Sequence, residues 1–130
     1  MIVVDASVVL EVILGMPGSS LLRRRLLDSA EVVCAPDLLD VEVAQVLRRY
    51  VAAGEMSAER GALAIQDLRD LPIERFPDEL LIGRIWELRE SLTAFDAAYV
   101  ALAEALTATL VTRDGRLARS RGHRAEIEFV

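Results

Sequence analysis

Short apolar runs alternate along the whole chain with longer stretches of helical periodicity. Ile2, Val3 and Val4 form a run that stops at Asp5, and Ala6 to Leu14 suits a helix better than a longer strand. Gly15, Pro17 and Gly18 break that helix. Leu21, Leu22, Leu26 and Leu27 then fall at helical spacing and predict a second helix from Ser19 to Ser29. Glu31 to Ala35 reads as a short strand ended by Pro36. Asp37 stands at the N-cap position of a long helix that reaches Ala53, with Gly54 as its C-cap. Ser57 caps a helix to about Leu71, Pro72 to Phe76 reads as a strand, and Asp78 to Arg89 as a helix. Thr93 begins a helix that runs to about Leu106, Thr109 to Thr112 is the next strand, Asp114 opens a short helix, and Ile127 to Val130 closes the chain as an edge strand.

Short apolar strands alternating with amphipathic helices predict an α/β domain, a mainly parallel sheet covered by helices on both faces. Repeats, linkers and low-complexity segments are absent from the 130 residues, which read as one domain over 1–130. Hydrophobic residues make up 53% of the chain and aromatics only 5%, so the core must be aliphatic. Cys34 is the only cysteine, which excludes a disulfide framework and a multi-thiolate zinc site; within Val32, Val33, Cys34 and Ala35 it reads as a small buried hydrophobe. The apolar opening lacks a basic leader and is interrupted by Asp5 and Glu11, and no other uncharged run approaches the roughly 18 residues of a membrane span. A soluble, cytoplasmic protein with no membrane partner is expected.

The net charge of -6 argues against wrapping nucleic acid by bulk electrostatics. The charge is nonetheless patterned. All 15 basic residues are Arg, and ten of them cluster at 23–25, at 48–49, and at Arg113, Arg116, Arg119, Arg121 and Arg124. The first two clusters read as solvated helix faces. The last borders Asp114, where Arg forks suit phosphate contact.

Four acids stand out. Asp5 and Asp114 each follow a strand and precede a helix, and each alone passes as an N-cap. Asp96 lies three residues after Thr93, the spacing of a capping box. Glu42 has no such explanation: its neighbours at i-4, i-3 and i+4 are Leu38, Leu39 and Val46, which sets its carboxylate beside an apolar stripe. In an open parallel sheet ligands bind outside the carboxyl ends of the strands, where Asp5 and Asp114 both sit. If those strands are neighbours, the helices can bring Asp96 and Glu42 to the same place. Four carboxylates in one pocket cannot all stay ionised without a cation, and all-oxygen donors suit Mg²⁺, with Mn²⁺ as substitute, as one or two ions. His123, the only histidine, reads as a surface residue. A His-pair ribonuclease is thereby impossible, and zinc hydrolysis lacks its ligands. A receiver-like domain or a haloacid-dehalogenase-type phosphatase wants a Lys beside its acids, and this chain has none.

Four segments carry a family resemblance: Ile2-Val3-Val4-Asp5-Ala6-Ser7; Pro36 through Glu42-Val43 to Val46-Leu47-Arg48-Arg49; Leu92-Thr93-Ala94-Phe95-Asp96-Ala97-Ala98-Tyr99-Val100-Ala101-Leu102-Ala103; and Leu110-Val111-Thr112-Arg113-Asp114-Gly115-Arg116-Leu117. In this order and spacing the sequence resembles the PIN-domain endoribonucleases, specifically the VapC-type toxins of bacterial toxin–antitoxin pairs. The resemblance implies a three-layer α/β/α sandwich and an acidic pocket that binds Mg²⁺ or Mn²⁺. It also implies cleavage of single-stranded RNA. Carried onto this chain, the catalytic and metal-binding residues are Asp5, Glu42, Asp96 and Asp114. Asp5, Asp96 and Asp114 are the expected metal ligands, and Glu42 either holds a second ion or orients the attacking water. Ser7 and Thr112 resemble the family's pocket hydroxyls, and local capping explains them equally well. The implied chemistry is phosphodiester hydrolysis by a metal-activated water. Arg113 and Arg116 are candidates to guide the RNA backbone. The resemblance also implies a basic VapB-like antitoxin and a homodimer. A PIN nuclease of RNA maturation, or a catalytically silent PIN binding module, are the alternatives.

Overall fold

The apolar runs meet side by side. The structure, a computed structural model, describes residues 1–28 and 30–130. Five strands form one sheet: β1 (Ile2–Val4), β2 (Val33–Pro36), β3 (Ile73–Phe76), β4 (Thr109–Thr112) and β5 (Ile127–Phe129). Every pairing is parallel and the order is β3-β2-β1-β4-β5. The chain thus builds leftward from β1 and later returns to its other side, which makes the β1/β4 boundary the switch point. The register pairs Ile2 with Thr109, Val3 with Leu110 and Val4 with Val111, so one step further Asp5 stands opposite Thr112.

The helices among the described residues are α1 (Ala6–Ile13), α2 (Ser20–Leu27), α3 (Leu38–Ala52), α4 (Ala58–Asp70), α5 (Ile82–Glu87), α6 (Ala94–Leu106) and α7 (Gly115–Ala118). The first four pack on one another on one face, and α5 pairs with α6, which lies across β1, β2 and β4 on the other. This is the predicted α/β/α sandwich. From Ala97 to Ala103 every residue of α6 is buried, and four of those seven are Ala, which lets the helix lie close against the sheet. Cys34 is buried in β2, as expected. No helix among the described residues is long and apolar enough to cross a membrane.

Three local expectations change. The second helix ends at Leu27, and its predicted last residue, Ser29, lies outside the described residues. Asp37 occupies the N-cap position of α3 with helical backbone angles, yet its side chain caps nothing; the Leu38 N–H instead donates to Asp78 Oδ1 at 3.2 Å. The cap comes from another part of the chain. Asp78 is spent on it at the start of a 3₁₀ turn, Asp78–Leu81, which replaces the first third of the helix predicted for 78–89 and turns Leu81 into the core.

Candidate active site

Asp5 is an N-cap and more than an N-cap. Its Oδ1 accepts the Val8 N–H of α1 at 3.2 Å and the Ser7 hydroxyl at 2.6 Å, while its Oδ2 accepts the Thr112 hydroxyl from the neighbouring strand at 2.5 Å. Thr112, fully buried, also accepts the Asp114 N–H at 2.9 Å, and Ser7 accepts the Arg113 N–H at 2.9 Å. The two predicted hydroxyls therefore stitch the ends of β1 and β4 together and fix the carboxylate between them. Burial holds the Asp5 carboxyl above the ordinary carboxylate range, against the lowering effect of these three donors; the nearby Asp114 adds to the rise.

Thr112→Val keeps the shape and removes both bonds, leaving the Asp114 N–H and Asp5 Oδ2 unmet. We expect a loss of about 1–3 kcal/mol, read in denaturant unfolding, with Thr112→Ser restoring most of it. Equal stability of the Val variant and the parent would show that the hydroxyl positions nothing.

Asp114 caps the short α7, accepting from the Arg116 and Leu117 N–H groups at 2.8 and 3.3 Å. Burial alone would raise its pKa, but those two N–H groups and the Arg116 guanidinium outweigh it and hold the carboxyl low. Asp96 stands in the first turn of α6, whose cap is the Thr93 hydroxyl accepting the Asp96 N–H at 3.2 Å. Its carboxylate is not consumed by the capping box. It meets Arg116 Nη2 at 3.2 Å, and burial, with the Asp114 charge, still keeps its pKa up despite that cation.

Glu42 is the awkward member structurally as well as in sequence. Its Oε1 is buried and makes no hydrogen bond, and the same is true of the Tyr99 hydroxyl, one turn beyond Asp96 on α6. The two groups face each other closely enough to influence one another's charge without meeting hydrogen-bond geometry. Burial raises the Glu42 pKa, the facing Tyr99 hydroxyl lowers it, and the charges of Asp96 and Asp5 raise it further; burial and the Glu42 charge likewise push the Tyr99 phenol up. Tyr99 was not singled out from sequence. Its signal was its place three residues after Asp96, on the same helical face.

The two candidate RNA-contacting arginines part ways. Arg113 turns to α1, where its Nε and Nη2 grip both carboxylate oxygens of Glu11 at 2.5 and 2.9 Å, and its Nη1 donates to the Val130 carbonyl. Glu11 is only 7% exposed, so this pair locks the C-terminal strand and the Asp114 loop to α1. Arg113 is thereby committed to the fold. Arg116 stays in the site, with Nη2 also 3.4 Å from Asp114 Oδ2. His123 departs from its expected surface place: it is half-buried, with Nε2 paired to Ser120 Oγ at 2.9 Å and Nδ1 enclosed without a partner.

All four acids act on one another electrostatically: Asp5 with Asp114, Asp96 with Asp114, and Glu42 with both Asp5 and Asp96. Among the described residues no three acidic, His or Cys side chains close into a ready metal cage. The donor set nevertheless fits a hard cation. It is all oxygen, it holds carboxyls raised by burial and mutual repulsion, one buried oxygen lacks a partner, and an Arg stands between two of the acids.

The pKa pattern has a testable sign. A carboxyl raised on folding binds its proton more tightly in the folded state, so its contribution is full below the ordinary carboxylate pKa and lost as pH rises through the raised value. Asp5 is such a group. Without added metal, parent protein should lose melting temperature relative to Asp5→Asn as pH rises from about 4 to 7. A difference that stays constant over that interval would contradict it.

The comparisons with known proteins agree with this geometry. A family model described as the PIN domain matches residues 2–122. Ribonuclease VapC12 of Mycobacterium tuberculosis is 43% identical over 130 residues, covering 100% of this chain and 99% of its own. The VapC ribonuclease Mb0985 of Mycobacterium bovis is 46% identical over 117 residues, covering 90% of this chain and 88% of its own. Among solved structures, Mycobacterium tuberculosis VapC20, described as a sarcin-ricin loop cleaving toxin, superposes with a TM-score of 0.68 at 16% identity, over 91% of this chain and 93% of its own. VapBC2 from Rickettsia felis, bound to a DNA fragment from its promoter, gives a TM-score of 0.67 at 17% identity, over 99% of this chain and 98% of that one. A parallel sheet in this order, with acids gathered at its switch point and a family match over nearly all its length, makes this chain a member of the PIN-domain family. Its relatives at 43–46% identity narrow that further, to the VapC type.

Proposed function

We propose that this chain is an endoribonuclease that hydrolyses RNA phosphodiester bonds at Asp5, Glu42, Asp96 and Asp114, and that it is the toxin of a toxin–antitoxin pair acting in the cytoplasm. The observation that carries the reading is the buried Glu42 Oε1, without a hydrogen-bond partner and within electrostatic reach of Asp5 and Asp96 near the β1/β4 switch point. Such an arrangement is costly unless a cation or substrate completes it.

Mg²⁺, or Mn²⁺ in its place, held by Asp5, Asp96, Asp114 and Glu42 as one or two ions, would supply Lewis acidity at the phosphoryl oxygen and a lowered pKa for water. The protein does the rest. Thr112 and Ser7 aim the Asp5 carboxylate and offset part of the rise that burial gives its pKa. Glu42, raised by burial and held in an apolar wall, is suited to accept a proton from the attacking water and orient it. The water oxygen joins phosphorus, the P–O3′ bond breaks, and the departing oxygen takes a proton. The 2′-hydroxyl takes no part.

The products test this. Cleaved RNA should carry 5′-phosphate and 3′-hydroxyl ends, checked by ligation-based end mapping. Ends in 2′,3′-cyclic phosphate would require attack by the ribose itself and overturn the reading. The acidic pocket in a chain of net charge -6 suits a basic partner. A VapB-like antitoxin presenting an Arg to these acids, and a homodimer as the free form, belong to the same proposal, supported by the likeness to VapBC2 and the VapC relatives.

A further inference from the structure

We propose that Arg116 is a resident counter-ion that a divalent metal must displace, and that the displaced guanidinium then becomes a ligand for RNA phosphate; this rests on the metal-dependent reading above. Arg116 is tied to Asp114 twice. Its backbone N–H donates to Asp114 Oδ1 at 2.8 Å, and its side chain reaches past Oδ2 at 3.4 Å to Asp96 Oδ2 at 3.2 Å. One nitrogen therefore stands between carboxylates from α6 and the β4 end, at oxygens a metal would need.

The two arginines near the site differ in how firmly they are held. Arg113 makes a close, two-pronged grip on the enclosed Glu11. Arg116 makes two long contacts, beyond the 2.7–2.9 Å or so of good charge-assisted bonds, and its side chain is 71% exposed. Such an exposed pair is enough to occupy the oxygens and too weak to resist a divalent ion. Displacement does not carry Arg116 away, because its backbone stays fixed on Asp114 Oδ1. It remains at the rim of a pocket of about 280 Å³ lined by Ser91, Thr93, Asp96, Leu117 and Ser120. The Ser91 and Thr93 hydroxyls and a freed guanidinium fork suit a phosphate group, whereas the Ser120 hydroxyl already donates to the Leu117 carbonyl. Metal binding thus switches Arg116 from the acids to the substrate, and RNA is gripped only when the site is loaded.

The test uses the full chain as parent and as Arg116→Ala. Calorimetric titration with Mn²⁺ alone, without RNA, should show the variant binding roughly 2–5-fold more tightly, the worth of one exposed ion pair expressed as a ratio. At saturating Mn²⁺ its KM for a single-stranded RNA should rise about tenfold with kcat little changed. Arg116→Lys should recover most of the metal competition and little of the RNA affinity, since it restores the charge without the fork. The opposite movement of the two constants is the signature, because damage to the fold would weaken both. Equal or weaker Mn²⁺ binding by the Ala variant overturns the exchange. A parent that takes up no Mn²⁺ overturns the metal-dependent reading itself.

Discussion

Asp5→Asn should lower RNA cleavage by on the order of 10²–10³-fold while leaving the folded chain as stable as the parent or more so. The two halves of this expectation come from the same contacts. Asparagine at this position can still accept the Val8 N–H and the Ser7 hydroxyl through its carbonyl, and its amide can donate to the Thr112 oxygen. The join between β1 and β4 survives. What disappears is a negative charge that burial already disfavours, so the metal-free protein is relieved of strain. On the proposed reading, the cation would also lose the carboxylate that three hydrogen bonds hold in place. Activity and melting temperature, measured on one preparation freed of contaminating nucleases, separate the cases. Loss of both would mean that Asp5 is a structural cap only, and cleavage at the parental rate would remove it from the site.

The sheet and most helices were legible because their signals are local. Val3 and Leu110 are buried in neighbouring strands, and the chain marks both runs by continuous apolar residues between turns. Thr93 and Ser57 cap their helices as their spacing announces. Asp5 and Asp114 were legible as a pair because strand ends in a parallel sheet share one edge. The adjacency of β1 and β4, left open by the sequence, follows from chain reversal after β3 and is what brings Asp5 and Thr112 within hydrogen-bond reach.

Pairings between distant segments were not legible. Asp37 looks like the cap of α3, but Asp78, forty residues on, performs that task because β2 and β3 end side by side. Arg113 was placed with RNA for its neighbours in sequence, whereas its partner is Glu11, 102 residues earlier in the chain. Glu11 had been noticed only as an interruption of an apolar run. Its burial depends on a guanidinium that no local pattern could assign to it. Tyr99 and His123 were missed as enclosed polar groups for the same reason: burial is a property of packing, which periodicity reports for stripes and not for single side chains.

Metal removal reaches the central claim most directly. Asp5 and Asp96 both repel Glu42 in a partly buried place, and on the proposed reading a cation would turn this liability into a site. An Arg in their midst supplies at most one charge, at long distance. RNA cleavage by purified parent protein should therefore cease in excess EDTA, return when Mg²⁺ is added beyond the chelator, and return also with Mn²⁺. Cleavage that continues undiminished in EDTA, with the same products, would contradict a cation-dependent site and the assignment of these four residues to it.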